Sequence, residues 1–434
     1  MSLYICSNCH YGSASWMGKC PDCGQWNTFQ EQASPASAKT KREKTQPFAL
    51  TPIAQIKTLK QNRLVTQIHE FDRVLGGGIL PGAVILLTGE PGVGKSTLLL
   101  QALQKLKTVY VSGEESAGQV KDRADRLKIN LANFFFSDTT QVEGMLAGLE
   151  KMKERIELVV IDSIQTVYSK TVDAPAGNVS QLKESANQIS EFAKRHHLPV
   201  ILVGHITKEG DIAGPKTLEH LVDCVLTFEG ERLSHFRILR AGKNRFGATD
   251  EIGIFVMKDR GLEPVNNPVA FINRDEAPAP GKAIAGVVEG KRPLFFELQT
   301  LTVPTQLALP RRVVKGVDYN RLQLLIAVLR KHLNLSLDRF DVFVNVVGGV
   351  TIRSTAVDLA VAASLLSSLH NFPLPPRSVF SGEIGLLGEV RPAFFQDKLI
   401  GESKRLAFRA IYSSLNLPHV RALLKLITAS RSRA

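Results

Sequence analysis

Short apolar runs, separated by polar glycine-bearing turns and by stretches of helical periodicity, set the order of elements along most of the chain. Val84-Ile85-Leu86-Leu87 has the length and continuity of a buried strand, and Thr97 to Leu103 is a run of good helix formers. Val109 to Ser112 predicts a second strand, and Leu158 to Ile161, closing on Asp162 and Ser163, a third. Leu182, Ala186, Ile189 and Ala193 mark one face of a helix ahead of Pro199 to Val203, a fourth strand that His205 follows directly. Strands that are apolar throughout are covered on both faces. Their alternation with helices predicts an α/β fold around a mostly parallel sheet, with ligand at its carboxyl ends. After Pro278-Ala279-Pro280-Gly281 the pattern changes to α+β: an apolar run from Ile284 to Val288, a helix with Leu322, Leu325, Ile326 and Leu329 on one face, a strand from Val342 to Val347, and a largely apolar helix from Ala356. The chain thus divides into residues 1–29, a linker at 30–47, a nucleotide-binding domain at 48–277 and a C-terminal domain at 278–434.

The turn between the first strand and its helix is Gly89-Glu90-Pro91-Gly92-Val93-Gly94-Lys95-Ser96, followed by Thr97. It has the phosphate-loop spacing G-x-x-x-x-G-K-[ST]. The glycines let backbone N–H groups converge on phosphate at the positive end of a helix, Lys95 supplies charge to the β- and γ-phosphates, and the Ser96 hydroxyl suits magnesium. Asp162 at a buried strand's end is the second expected magnesium ligand, direct or through water. Glu114, in Gly113-Glu114-Glu115-Ser116, is placed to polarise an attacking water, or else serves as an acid in a helix first turn. His205 suits a γ-phosphate sensor or a satisfied loop histidine, and Lys208, Glu209, Gly210 and Asp211 beyond it suit a ligand-facing loop.

Four of the five cysteines lie in the first 23 residues, as Cys6-Ser7-Asn8-Cys9 and Cys20-Pro21-Asp22-Cys23. Two Cys-x-x-Cys knuckles offer four thiolates to one tetrahedral zinc, and four protein ligands close the site, so it is expected to be structural. Trp16 and Trp26 are expected to form this small unit's core, with a base-stacking platform as the other reading. Cys224 reads as a buried core thiol. Residues 30–47 are polar and proline-bearing, with Lys39, Lys41, Arg42 and Lys44, which suits a flexible tether. A charged fraction of 22% and an apolar fraction of 44% describe a soluble globular protein, without a run long enough to cross a bilayer or a signal-type start. Together these predict a cytoplasmic protein with no membrane partner. The net charge of +13 favours a polyanionic partner.

The cysteine knuckles, the phosphate loop, Gly113 to Ser116 and Lys243-Asn244-Arg245-Phe246-Gly247 together resemble the bacterial RadA (Sms) DNA-repair family over nearly the whole chain. The resemblance implies a RecA-like ATPase using ATP, Mg²⁺ and Zn²⁺. It also implies hexameric rings on single-stranded DNA, branch migration of recombination intermediates, and RecA recombinase as a partner. By position it gives Lys95 and Ser96 to nucleotide and Mg²⁺, Asp162 to the second motif, Glu114 to the catalytic glutamate, His205 to nucleotide sensing, and Lys243 and Arg245 to coupling ATP with DNA. Apart from the family, Lys243 and Arg245 are two cations around Phe246 in a turn. Residues 278–434 resemble the proteolytic domain of Lon, with Ala356 where that family has its catalytic serine and Asp397 or a neighbour where it has the lysine. Without a hydroxyl beside a base, acyl transfer has no start. An ATP-dependent Lon-type protease and a RecA-like scaffold that binds DNA without translocating are the alternative readings. Arg421 to Ala434 is basic and reads as a frayed tail or a DNA-facing segment.

Overall fold

Residues 3–9, 11–13, 15–32, 52, 62–66, 68–205, 215–230, 235–267, 269, 272 and 277–426 are described by the computed structural model; His10, most of the 30–47 linker, Lys208 to Asp211 and residues 427–434 lie outside them. The chain forms two compact units, residues 1–60 and 61–434.

In the first unit, β1 (Leu3–Cys6) pairs antiparallel with both β2 (Gly12–Ser13) and β3 (Phe29–Gln32). The tryptophan core expected from the sequence is not what forms. Trp16 is 55% exposed and Trp26 69%, while Cys6, Cys20 and Phe29 fill the interior with Tyr4, Cys9, Met17 and Cys23 around them. The sulfurs themselves are the apolar mass, so the indoles are left outside, with the Lys19 ammonium 5.6 Å from the Trp26 ring centroid.

In the second unit, α1 (His69–Val74) precedes β4 (Val84–Gly89), α2 (Lys95–Leu103), β5 (Thr108–Ser112), α3 (Ala117–Arg126), β6 (Phe134–Ser137), α4 (Val142–Met152), β7 (Leu158–Asp162), α5 (Val179–His196), β8 (Val200–His205), α6 (Pro215–Leu218) and β9 (Cys224–Glu229). The six strands lie parallel in the order β9-β4-β8-β7-β5-β6. β4, β5 and β7 are buried at every position, as their unbroken apolar runs require. Leu182, Ala186, Ile189 and Ala193 of α5 are all buried. Ser116 and Gln119 close a capping box on α3, and the Asn178 side chain caps α5, which fixes where both helices begin. Beyond β9 the sheet turns antiparallel through β10 (Phe236–Asn244), β11 (Ile252–Lys258) and β12 (Gly261–Pro264). β10 carries one register shift, between Ala241 and Lys243.

A second, six-stranded mixed sheet follows: β13 (Lys282–Glu289), β14 (Arg292–Pro304), β15 (Arg312–Lys315), β16 (Phe340–Val346), β17 (Ser378–Phe380) and, after the hairpin of β18 (Glu383–Ile384) and β19 (Val390–Arg391), β20 (Ala410–Tyr412). The alternation of β14 sorts its two faces. Leu294, Phe296 and Leu298 share a core with α7 (Tyr319–Leu333) and α8 (Asp358–Leu369), whereas Phe295 packs with Val379 and with Leu399 of α9 (Gln396–Arg405). The first of these cores includes Ile238, Ile252 and Ile254 of β10 and β11, so the two sheets share one continuous interior. Arg292 ties them further: it donates to Glu70 Oε2 at 2.7 Å and to the Val265 carbonyl at 2.6 Å. Ala356 is buried ahead of α8, where the Gly382 N–H donates to its carbonyl. Among the described residues no helix is long and apolar enough to cross a membrane.

Candidate functional site

Parallel pairing brings the carboxyl ends of four strands together. Gly89 of β4 pairs with His205 of β8, and Ser112 of β5 with Asp162 of β7. Glu90 to Gly94 turns over these ends into α2. The turn needs its glycines: Gly94 has φ +109°, in the left-handed region, and a Cβ on Gly89 would lie 2.4 Å from the Phe228 carbonyl oxygen. A cleft of about 510 Å³ opens in front of the loop, floored by Lys95, Ser96, Glu114, Asp162 and His205. Thr97 lies on the first turn of α2, at the cleft wall.

Lys95 is buried, and its ammonium donates to the Gly89 carbonyl at 2.9 Å, to the Glu90 carbonyl at 3.2 Å and to His205 Nδ1 at 3.1 Å. Burial lowers its pKa, while the charges of Asp162 and Glu114 oppose that shift. An ammonium can only donate, so Nδ1 accepts; the other ring nitrogen, Nε2, lies 3.3 Å from Glu114 Oε1 without a hydrogen bond to it. Ser163 donates its hydroxyl to the same oxygen at 2.5 Å. A line of polar contacts therefore runs from Lys95 through His205 to Glu114, hydrogen-bonded at its first step and a bare approach at its second. Gly113 permits the approach, because a Cβ there would stand 2.3 Å from Thr166 Oγ1.

On the other side of Lys95, Ser96 Oγ donates to Asp162 Oδ2 at 2.7 Å, and the buried Tyr110 hydroxyl donates to that oxygen at 2.5 Å. A hydroxyl and a carboxylate converging at the cleft floor are the hard oxygen donors that magnesium takes. Sequence reasoning passed over Tyr110, Ser163 and the pair Glu115–Arg123, in which the guanidinium donates to both carboxylate oxygens at the cleft wall. Tyr110 had one signal, a polar tip inside an apolar strand.

Lys243 and Arg245 stand elsewhere. Lys243 is not the loop cation expected from the sequence, since it and Asn244 are the last residues of β10, paired with Val225 and Cys224 of β9, whereas Arg245 does lie in the turn that follows, with Phe246. Lys243 donates to the Glu219 carbonyl at 2.7 Å and the Val222 carbonyl at 2.8 Å, just after α6. Arg245 donates to Oδ1 of the buried Asp223 at 3.1 Å, and Asp223 Oδ2 accepts from the Val84 N–H at 3.1 Å. Val84 opens β4 and Gly89 closes it, five steps of about 3.3 Å, so this basic block lies about 17 Å along the sheet from its own phosphate loop. Cys224 is buried, and burial together with the Asp223 charge pushes its thiol up to about 12.

In the N-terminal unit, the sulfurs of Cys6, Cys9, Cys20 and Cys23 all lie within 4.8 Å of one another, with Cys6–Cys23 at 3.7 Å and Cys9–Cys20 at 3.5 Å. A tetrahedron of zinc–sulfur bonds has edges of about 3.8 Å, so the four thiols converge on a site of zinc's size. The Thr28 hydroxyl, 3.2 Å from Cys6 Sγ, favours the thiolate and holds that pKa down to about 6.

Family models match in two places: an AAA domain over residues 51–211 and a rubredoxin metal-binding domain over residues 4–31. DNA repair protein RadA of Aquifex aeolicus is 44% identical over 412 residues, covering 94% of this chain and 92% of that protein. DNA repair protein RadA of Bacillus subtilis is 44% identical, covering 96% and 93%. Among solved structures, the RadB recombinase is similar over 47% of this chain and 100% of its own, at 24% identity and a TM-score of 0.38. From this likeness to relatives along nearly their whole length, together with the two sites, the chain belongs to the RadA family of DNA repair proteins, as an ATPase with an N-terminal zinc-binding cysteine cluster.

Proposed function

We propose that the protein is a DNA-stimulated motor: a hexameric ring that assembles on single-stranded DNA in the cytoplasm and drives branch migration of recombination intermediates beside RecA recombinase. The observation that carries this reading is the chain Lys95–His205–Glu114, which links the phosphate-binding cation to the candidate base through a histidine at a strand tip. Lys95 and the loop N–H groups from Gly92 to Ser96 hold the phosphates. Ser96 and Asp162 hold Mg²⁺, which when bound neutralises charge on the β- and γ-oxygens. Glu114 orients the attacking water and takes its proton, with Ser163 fixing the carboxylate. His205 reports the γ-phosphate: an ammonium drawn to that phosphate releases Nδ1, and the imidazole is then free to turn. Lys243 and Arg245 act on a neighbouring subunit's nucleotide, since about 17 Å of strand separates them from their own. Residues 278–434 serve as a Lon-like brace without proteolysis, because Ala356 offers no nucleophile.

The test is turnover with and without single-stranded DNA, alongside migration of a labelled branched duplex and cleavage of a labelled unfolded protein. The expected result is DNA-stimulated hydrolysis and strand displacement with no peptide release. Stimulated hydrolysis without displacement would leave a scaffold, and released peptide would restore the protease.

A further inference from the structure

The strand β5 carries one aromatic residue that the reaction described above does not use. Tyr110 is 1% exposed, set among the side chains that pack α2 and α3 against the sheet, and its ring is held in that core. Its hydroxyl is not left to find water. It crosses to β7 and donates to Asp162 Oδ2 at 2.5 Å, and Ser96 Oγ reaches the same oxygen at 2.7 Å. Both hydrogen bonds thus arrive at Oδ2, while the carboxylate borders the cleft. The register explains the reach: Tyr110 pairs with Val160 and Ser112 with Asp162, so the phenol starts one pleat repeat short of the carboxylate and spans that distance with its ring.

The two donors differ in what they can do when nucleotide enters. Ser96 sits on the loop, at the start of α2, and its hydroxyl is itself a candidate magnesium ligand; a serine that turns to the metal leaves Oδ2 with one donor fewer. Tyr110 has no such alternative, because its ring is locked by packing. A free carboxylate on a short side chain rotates about χ2 over a broad range, and a buried, immovable donor removes that freedom. We infer that Tyr110 is a positioning residue of the magnesium site, whose buried phenol clamps Oδ2 of Asp162 and so presents the other carboxylate oxygen to the cleft in one orientation. The inference rests on the assignment of Asp162 to magnesium.

The experiment is binding of a fluorescent, slowly hydrolysed ATP analogue to the full chain, titrated with Mg²⁺ and repeated in EDTA, for the wild type, Tyr110→Phe, Asp162→Asn and the double variant. Phenylalanine keeps the ring and its packing and removes only the hydroxyl. The expected result is that Tyr110→Phe raises half-saturating Mg²⁺ about tenfold, the scale of one hydrogen bond to a charged group, with nucleotide affinity in EDTA and kcat at saturating Mg²⁺ close to wild type. The Tyr110 effect should disappear in the Asp162→Asn background, where the clamped group is no longer a carboxylate. An unchanged Mg²⁺ midpoint in Tyr110→Phe, with Asp162→Asn still displaced, overturns the clamp and leaves the metal assignment standing. Equal weakening with and without Mg²⁺ also overturns it, since that marks a merely structural loss. An unchanged midpoint in Asp162→Asn overturns the assignment itself.

Discussion

Arg245→Ala separates a contact within the subunit from an action on its neighbour. Within the subunit, the side chain is 53% exposed and, among the described residues, its only ion pair is with Asp223, at 3.1 Å. Lys194 stands 3.7 Å from the same oxygen and the Val84 N–H holds the other, so Asp223 keeps partners when Arg245 is removed. With the Arg245 end half exposed and the buried Asp223 keeping its other partners, losing the pair costs about 0.5 kcal/mol after screening. In a unit this large that moves Tm by no more than about 2 °C, and nucleotide binding about 17 Å away should not change. Lys243→Ala is the less clean variant, because it strips two carbonyls of a charged donor. The assay is DNA-stimulated ATP turnover of Arg245→Ala, of Lys95→Ala, and of an equal mixture combined before assembly on DNA. Each variant alone is expected at or below the unstimulated rate. In mixed rings half of the nucleotide sites are intact and half of those adjoin an intact Arg245, so about a quarter of wild-type turnover should return if the cation acts in trans. No recovery in the mixture, together with full rescue of Arg245→Ala at saturating DNA, would refute the reasoning and leave Arg245 as a phosphate contact to DNA.

Glu114→Gln should bind ATP as wild type does but hydrolyse it at least about a hundredfold more slowly in single-turnover measurements, the usual scale for a lost general base; a rate within tenfold would leave Glu114 as no more than a structural partner of Ser163. Zinc chelation should abolish the fold of residues 1–32, followed by tryptophan emission from Trp16 and Trp26, without moving the main calorimetric transition, since the four sulfurs are that unit's interior. Arg292→Ala leaves the fully buried Glu70 with the Ile254 N–H at 2.9 Å and Arg73 at 3.2 Å, and should cost about 3 kcal/mol by denaturant titration, much of it recovered in the double variant with Glu70→Gln. Cys224, whose pKa is raised to about 12, is protonated at neutral pH and should resist iodoacetamide at pH 8 until the chain unfolds.

The parallel strands and the phosphate loop were legible because burial on both faces leaves an unambiguous mark, four or five apolar residues in a row with a fixed motif between two of them. The antiparallel end of the sheet was not. In β10 the sequence Phe-Arg-Ile-Leu-Arg-Ala-Gly-Lys-Asn places a cation at every third position, which matches neither alternation nor an apolar run. Its cations are spent inside the protein: Arg237 donates to the Val93 carbonyl of the phosphate loop at 3.1 Å and Arg240 to Glu289 of the second sheet at 2.6 Å. Charge read along the chain looks solvated, and only pairing across sheets shows otherwise. The tryptophans misled for the opposite reason, since in so small a unit metal-binding sulfurs displace aromatics from the centre.

β10 is a rod of fixed length with three attachments. Its start grips the phosphate loop through Arg237, its middle is fastened to the C-terminal sheet through Arg240, and its end carries Lys243 into the block that holds Arg245. A strand hydrogen-bonded on both sides neither stretches nor bends along its own axis, so a shift of the phosphate loop can only be passed on whole or absorbed at the one register shift, between Ala241 and Lys243. Timing between a nucleotide and the surface about 17 Å away then becomes a question of carpentry, set by how many residues separate the joints.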